Sequence, residues 1–439
     1  MNSSQVTTMV ERFRGALDEA ELTSLGRTTR FTKRLREVTP HRLALALLAS
    51  FAIQRLETIA DILRTFNALT GKEVAYKPFH NQLSKPAFPR FTAALFHRLA
   101  QRLTLKVLAP VPESALRLFS DIVIQDGSSF AVHDALAAAL PGRFTAHAPA
   151  AAGIHATLSL YSDQFLRVSV TSQSKGEPQF LPKPNSLKGK LILADRGYAS
   201  IDYCAAVQEA GGHFVIRFKG VVNPVIKSCR VGGLLVKHLH GSKLREVAST
   251  FQGRNADLDV VWARPGAQSV ELRLLLLWNP QTREHCFLAT SLPRHEFSPT
   301  SVGALYTLRW QVELVFKELK SYANLRAFQT TKEPIALGLI WAALSAALLK
   351  RFLAHATQVA HDGLETSTRR TAMALTYKLP VVIGALLRGQ GLRVAFTDLL
   401  ASLATNARRA HPERDRLRGR LRVGLRHVKA ASWNCLHAG

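Results

Sequence analysis

Acidic residues are scarce in this chain. Its 439 residues hold 31 Asp+Glu against 58 Lys+Arg, a formal net charge of +27 at pH 7. Such an excess repels itself in the compact state and attracts polyanions. An ordinary metabolic enzyme fits it poorly and a nucleic-acid partner fits it well; a generally basic, highly soluble protein is the blander alternative. Cysteine is scarcer still. Cys204, Cys229, Cys286 and Cys435 show no CxxC spacing and no His at zinc-ligand spacing. A disulfide scaffold and a zinc module are therefore not expected, and a reducing, cytoplasmic setting fits. The opening MNSSQVTTMVERFRG lacks the charged-then-apolar order of a signal peptide. Long apolar runs are missing too. The longest, Ile335 to Leu349, has 15 residues, includes Ser345 and is closed by Lys350-Arg351. A spanning helix needs about 18–20 residues, so this run reads as a buried core helix and no membrane partner is expected. Apolar residues still make up 47% of the chain, enough to build cores, which excludes global disorder.

The pattern divides the chain into five stretches. Residues 1–115 read as helical, with a long apolar run over 42–66 and breaks at Thr70-Gly71, Pro78, Pro86 and Pro89. Helices of this kind, studded with Arg and Lys, suit a helix-turn-helix DNA-binding unit or an ordinary basic bundle. Residues 116–219 change character. DIVIQD, GIHATLSLY, FLRVSVTS, the apolar LILA, the helix former IDYCAAVQEAGG and HFVIRFK follow one another as strand, strand, strand, strand, helix, strand. That order predicts an α/β fold on a mixed sheet, opened by a meander. Residues 220–298 carry short alternating runs and read as a β-rich insertion. Helix resumes over 299–355, with a break near Lys332-Glu333-Pro334. Residues 356–439 are helical and basic, and end in an arm (408–429) with eight Arg and one Lys against Glu413 and Asp415. That arm suits phosphate binding or a solvated end.

Three acids stand at telling places. Asp126 closes DIVIQD and Asp195 closes LILAD, each followed by a glycine-containing stretch. An Asp at a strand end is usually a turn former or cap, but α/β sheets present ligands and catalytic groups there, and two such acids on a basic chain suit a carboxylate metal site. The third lies in YTLRWQVELVFKELK. On a helical wheel Leu308, Val312, Val315 and Leu319 share the core face, with Phe316 at its border. Tyr306, Arg309, Glu313 and Lys320 share the other, with Trp310 and Lys317 on the same stripe, whereas Glu318 points elsewhere. A solvated amphipathic helix also mixes charges, but Tyr and Trp are poor choices for it. Lys188 is a weaker phosphate candidate. His155 reads as a structural histidine rather than a ligand, and Asp163 as the turn residue of a hairpin. Ser128 and Ser129 lack the GxSxG context of a nucleophile.

The spacing Tyr306-(2)-Arg309-(3)-Glu313-(6)-Lys320 resembles the Y-(2)-R-(3)-E-(6)-K signature of the IS4-family DDE transposases of bacterial insertion sequences. DGSSF (126–130) and ADRGY (194–198) are similar to the blocks around that family's two Asp residues, and HFVIRFK and FLATSL to the strands flanking its insertion. The similarity runs over about residues 120–350. It implies an RNase H-like core whose catalytic and metal-holding acids are Asp126, Asp195 and Glu313. It implies Mg²⁺ as cofactor, with Mn²⁺ able to substitute, and cleavage of double-stranded insertion-sequence ends followed by joining of the 3′-OH to target DNA. Tyr306, Arg309, Trp310, Lys317 and Lys320 would contact that DNA, and a homodimer would synapse two terminal inverted repeats in the bacterial cytoplasm. Another RNase H-like nuclease or resolvase shares the acids but needs neither insertion nor helical arms; a catalytically silent DNA-binding repressor would not need the acids.

Overall fold

In the computed structural model, residues 3–52, 56–105, 115–143, 148–264, 266–313, 315–316, 330–361 and 364–410 are described. The N-terminal helices are α1 (Ser3–Ala16), α2 (Glu19–Thr28), α3 (Pro40–Ser50), α4 (Ile59–Thr70), α5 (Tyr76–Leu83) and α6 (Phe88–Leu103). Local chemistry sets their limits. Thr39 caps α3 ahead of Pro40. A Thr58–Asp61 capping box starts α4, and Gly71 ends it with φ 64°.

These helices pack around the apolar run of the sequence, which forms helix α9 (Glu333–Ala360), and they share one core with α10 (Thr368–Arg388) and α11 (Leu392–Asn406). By length and composition alone α9 and Arg369–Arg388 could cross a membrane, but the apolar window of α9 is 83% buried inside the protein. Gly338 of α9 lets Phe88 of α6 lie directly on the helix backbone, where a Cβ would collide with the ring. Asp163, at φ 48°, is more than a turn residue. It is buried, and its carboxylate takes Arg351 and His355 of α9, with His355 Nε2 at 3.1 Å. This locks the helical layer onto the sheet.

Among the described residues the strands form one ten-stranded mixed sheet. Its strands are β1 (Ile122–Ala131), β2 (Ala151–Ser159), β3 (Gln164–Ser172), β4 (Leu191–Ala194), β5 (His213–Phe218), β6 (Val225–Val231), β7 (Leu234–Leu235), β8 (Ala256–Arg264), β9 (Ala267–Asn279) and β10 (Glu284–Thr290). The spatial order is β3-β2-β1-β4-β5-β10-β9-β8-β6-β7. β1–β3 form the expected antiparallel meander, β4 and β5 run parallel to β1, and helix α7 (Ile201–Glu209) makes the crossover between them. That 3-2-1-4-5 arrangement is an RNase H-like core. The β-rich stretch continues the same sheet, because β10 pairs antiparallel with β5 and β9, β8 and β6 follow outward.

Candidate active site

The two aspartates are brought side by side by strand register. The parallel pairing of β1 and β4 ends at Gln125–Ala194, so Asp126 and Asp195 are the next residue on each strand. Asp195 leaves β4 as expected. Asp126 does not end its strand: β1 runs on to Ala131, paired only with β2, with Asp126 opposite Ala156. The DGSS segment reads like a turn but is held extended by the hairpin partner. Gly127 is needed there for space. A Cβ would lie 2.8 Å from Tyr198 Oη and 3.0 Å from His155 Nδ1, which are themselves joined at 2.8 Å.

Glu313 arrives from the other side of the chain. Helix α8 (Pro299–Thr307), capped by Ser298, ends earlier than the unbroken helix expected from the sequence. Residues 308–309 form a turn and helix resumes at 310. Through this join the bonds run i to i+3, as Arg309 N–Tyr306 O (3.0 Å), Gln311 N–Leu308 O (3.0 Å) and Val312 N–Arg309 O (3.2 Å), a 3₁₀-type tightening common at functional sites. The wheel survives it. Leu308, Val312, Val315 and Phe316 are buried, and Tyr306, Arg309 and Glu313 face the aspartates.

Arg309 is the centre of the arrangement. Its Nη1 donates to Asp126 Oδ2 at 2.9 Å and its Nη2 to Glu313 Oε1 at 2.7 Å. Tyr306 Oη donates to Asp195 Oδ1 at 3.2 Å, and the Arg309 guanidinium lies 5.9 Å from the centroid of the Tyr306 ring. Three carboxylates thus meet one cation and one hydroxyl. Burial, with Asp195 and Glu313 nearby, pushes the Asp126 carboxyl up to about 6 despite Arg309. Tyr306 is also pushed well above the ordinary phenol range, first by burial and then by Asp195.

This donor set suits a hard, oxygen-seeking divalent cation. The raised Asp126 carboxyl points the same way, because a carboxylate disfavoured by burial, with two more acids nearby, is stabilised by an added cation. The side chains are not closed around such an ion. Among the described residues no three His, Cys, Asp or Glu side chains form a ready metal cage. Arg309 instead spans Asp126 and Glu313, two of the acids that would hold such a metal.

The profile described as "Transposase DDE domain" matches residues 117–349, more than half of the chain. The chain belongs to the DDE transposase family. It is 21% identical over 350 residues to the transposase for insertion sequence element IS231E of Bacillus thuringiensis subsp. finitimus, covering 71% of this chain and 72% of that one. A 65-residue stretch is 46% identical to the putative transposase InsL for IS186A of Escherichia coli K12, 15% of this chain and 18% of that one. The piggyBac transposase, solved as a synaptic complex with hairpin DNA, aligns over 89% of this chain and 84% of its own at 12% identity and a TM-score of 0.46.

Other candidate residues of the transposase fall in different places. Trp310 is 52% exposed beside the site. Lys188 precedes β4, at the opposite end of that strand from Asp195. His155 is structural, as its residue context suggests: it stacks on Phe180 at 3.9 Å, bonds Tyr198, and burial pulls its pKa down to about 4. Lys317, Glu318, Lys320, Leu319 and most of the basic arm, from residue 411 on, lie outside the described residues. Two features were missed in the sequence. One is the buried row Thr157–Gln125 and Tyr198–His155 beneath the aspartates. The other is Arg273, which bonds Asp257 and the carbonyls of Leu292 and Phe297, each at 2.9 Å, and so fixes the chain that enters α8. Asp257, just before the alternating run LDVVWARP, and Arg273, inside VELRLLLLWN, are the signal for the second.

Proposed function

We propose that this protein is an insertion-sequence transposase that cuts the ends of its element and joins them to target DNA, with Asp126, Asp195 and Glu313 as the catalytic, metal-holding acids. One observation carries the reading: carboxylates from β1 and the segment after α8 share Arg309, and a third, at the end of β4, is bonded to Tyr306 beside them, on a chain of charge +27. Bound Mg²⁺, or Mn²⁺ in its place, would supply charge stabilisation for in-line displacement at phosphorus. Tyr306 keeps Asp195 in place by its hydrogen bond. Arg309 neutralises Asp126 and Glu313 before DNA arrives, and its planar fork matches a phosphate once released. Trp310, exposed one residue on, is available to stack on an unpaired base, and Lys317 and Lys320 would add phosphate contacts.

In the first step water oxygen bonds to the scissile phosphorus, the bond to the 3′ oxygen breaks, and that oxygen takes a proton to become the 3′-OH. In the second, the 3′-OH attacks a target phosphodiester and displaces another 3′ oxygen. A homodimer would present both inverted repeats to this chemistry in the cytoplasm. A nicking assay with Mg²⁺ on DNA carrying the element's ends tests the proposal. Wild-type protein should nick at the terminus, and Asp126→Ala, Asp195→Ala and Glu313→Ala should bind those ends without cutting. Cutting by all three variants sinks it.

A further inference from the structure

A cleft of about 1160 Å³ opens directly beside Asp195. It lies at the carboxyl edge of the parallel strands. Ser128 and Ser129 line it from the extension of β1, Asp195 and Arg196 from the end of β4, and Lys219 from the end of β5. Arg143 and Lys175 also line it. Open α/β sheets bind ligands at this edge.

The cleft carries more cations than acids. Arg143, Lys175, Arg196 and Lys219 are exposed, and among the described residues none forms a salt bridge. Cations on the neighbouring strands β6, β8 and β9 are handled differently: Lys227 holds Glu271, Arg230 lies near Asp259, Arg264 holds Asp202 and Arg273 holds Asp257. The acids lining the cleft are Asp195 and Glu177. Its wall is polar and braced, with Gln173 Nε2 donating to Ser129 Oγ at 2.9 Å and Gln173 Oε1 accepting the Arg143 amide at 3.2 Å. Gly176 lines it without a side chain, and a Cβ there would meet nothing closer than 4.0 Å, so a ligand backbone can approach closely at that point.

We infer that this cleft is a track for one DNA strand, gripping the sugar–phosphate backbone of the few nucleotides next to the reacting phosphate. Its volume is near that of small-ligand sites, ~300–1,000 Å³, which suits a few nucleotides and not a duplex. The aromatic residue it offers, Phe218, is buried rather than presented as a stacking platform, so recognition falls on phosphates and is independent of sequence. The strand is either the flanking DNA at the cut or the target DNA at joining; both present the same backbone. The inference depends on the transposase reading only for which of these strands enters.

Binding can be read without catalysis. A fluorescent single-stranded oligothymidylate would be titrated by anisotropy against wild-type protein and an Arg143→Gln/Lys175→Gln/Lys219→Gln variant over a salt series, with melting curves to show that both are folded. Each lost single-strand phosphate contact lowers the slope of log K against log salt by about 0.7. The variant should bind at least about fivefold more weakly, with a slope shallower by ~2. Affinity within twofold and an unchanged slope overturn the inference, whatever the fate of the acidic triad. Nicking of intact ends and joining of pre-cut ends then identify the strand. A drop in nicking marks the flanking strand and a drop in joining the target strand. No drop in either, or a matching loss of binding to duplex ends, overturns the assignment.

Discussion

Two clusters of buried carboxylates lie in the same sheet and behave oppositely. In β8 the Asp257 carboxylate, its side chain 6% exposed, receives bidentate bonds from Arg273, at 2.9 Å each, and two more from Arg294, which also reaches Asp259 at 2.8 Å. Burial opposes its ionisation, yet the two guanidinium groups hold its carboxyl below the ordinary range. In β1 the Asp126 side chain, 15% exposed, shares one arm of Arg309 while Asp195 and Glu313 stand close by. Its carboxyl is pushed up to about 6. The residue type is the same and burial raises both carboxyls; two guanidinium groups outweigh it at Asp257, whereas a single one, opposed by two further acids, does not at Asp126. Two acids with two arginines make a closed structural clamp. Three acids with one arginine make a site that an added cation stabilises.

The largest effect expected from this contrast is on cleavage. Asp126→Ala, Asp195→Ala and Glu313→Ala should each lower the cleavage rate at least about a thousandfold, about 4 kcal/mol of barrier, since they remove charge stabilisation from the reacting phosphate. Their melting temperatures should stay near wild type or rise. Asp257→Ala should do the reverse. It leaves the buried Arg273 guanidinium with no carboxylate, held only by two backbone carbonyls, and Arg294 with Asp259 alone, for a loss of ~3–5 kcal/mol in unfolding free energy. Denaturant titration of both sets is the check. If Asp257→Ala folds as well as wild type, or Asp126→Ala unfolds as readily as Asp257→Ala is expected to, the distinction between clamp and site fails.

This contrast was only partly legible in the sequence. Alternation and punctuation give the strands, the ends of α4 and α7, and the core helix α9, because those signals are local. The wheel places Tyr306, Arg309 and Glu313 on one face for the same reason. Pairing is not local. Arg309 meets Asp126 across 183 positions, and Arg351 meets Asp163 across 188, so no window of sequence contains either contact. Arg309 therefore reads as a phosphate grip alone, when in the structure it also bridges two acids of its own site. Asp126 reads as a strand end because DGSS is turn-like; only β2, opposite it, shows that the strand continues. The alternating runs after residue 220 announce strands but not that they extend the core sheet, which depends on β10 finding β5.

The raised carboxyl of Asp126 gives the next prediction. Its ordinary value is 3.8 and its folded value about 6, so the folded protein holds this proton more tightly than the unfolded chain. Stability of the metal-free protein should therefore fall as pH rises from about 4 through 6 and level off above, by up to about 3 kcal/mol from this group. His155 acts with the opposite sign. Its folded value of about 4 lies below its ordinary 6.5, so it removes stability as pH falls through that interval. The two overlap in wild type and separate by subtraction. Asp126→Asn should gain on wild type as pH rises from 5 to 7.5, measured by denaturant midpoint in chelator, and saturating Mg²⁺ should narrow the gap by stabilising only the wild type. A gap that is constant with pH removes the raised carboxyl on which the comparison rests.

The smallest expected effect tests the single cation. Arg309→Lys keeps the charge, but one ammonium lacks the planar fork that spans Asp126 Oδ2 and Glu313 Oε1. The acids should then be less well held before DNA arrives, and the reacting phosphate less well positioned after. A displacement of this kind near the chemistry is worth about 100-fold in rate. Binding should change little, because one phosphate contact is a small share of the affinity of a chain with a net charge of +27. Arg273→Lys is the matched change in the clamp. It replaces a fork that holds Asp257 and two backbone carbonyls, so it should lower stability while cleavage per folded molecule stays near wild type. Single-turnover cleavage of preformed complexes, beside gel-shift affinity and denaturation, separates the two. If Arg309→Lys weakens binding and leaves the single-turnover rate untouched, Arg309 grips DNA away from the scissile phosphate, and its bridge between the acids plays no part in the chemistry.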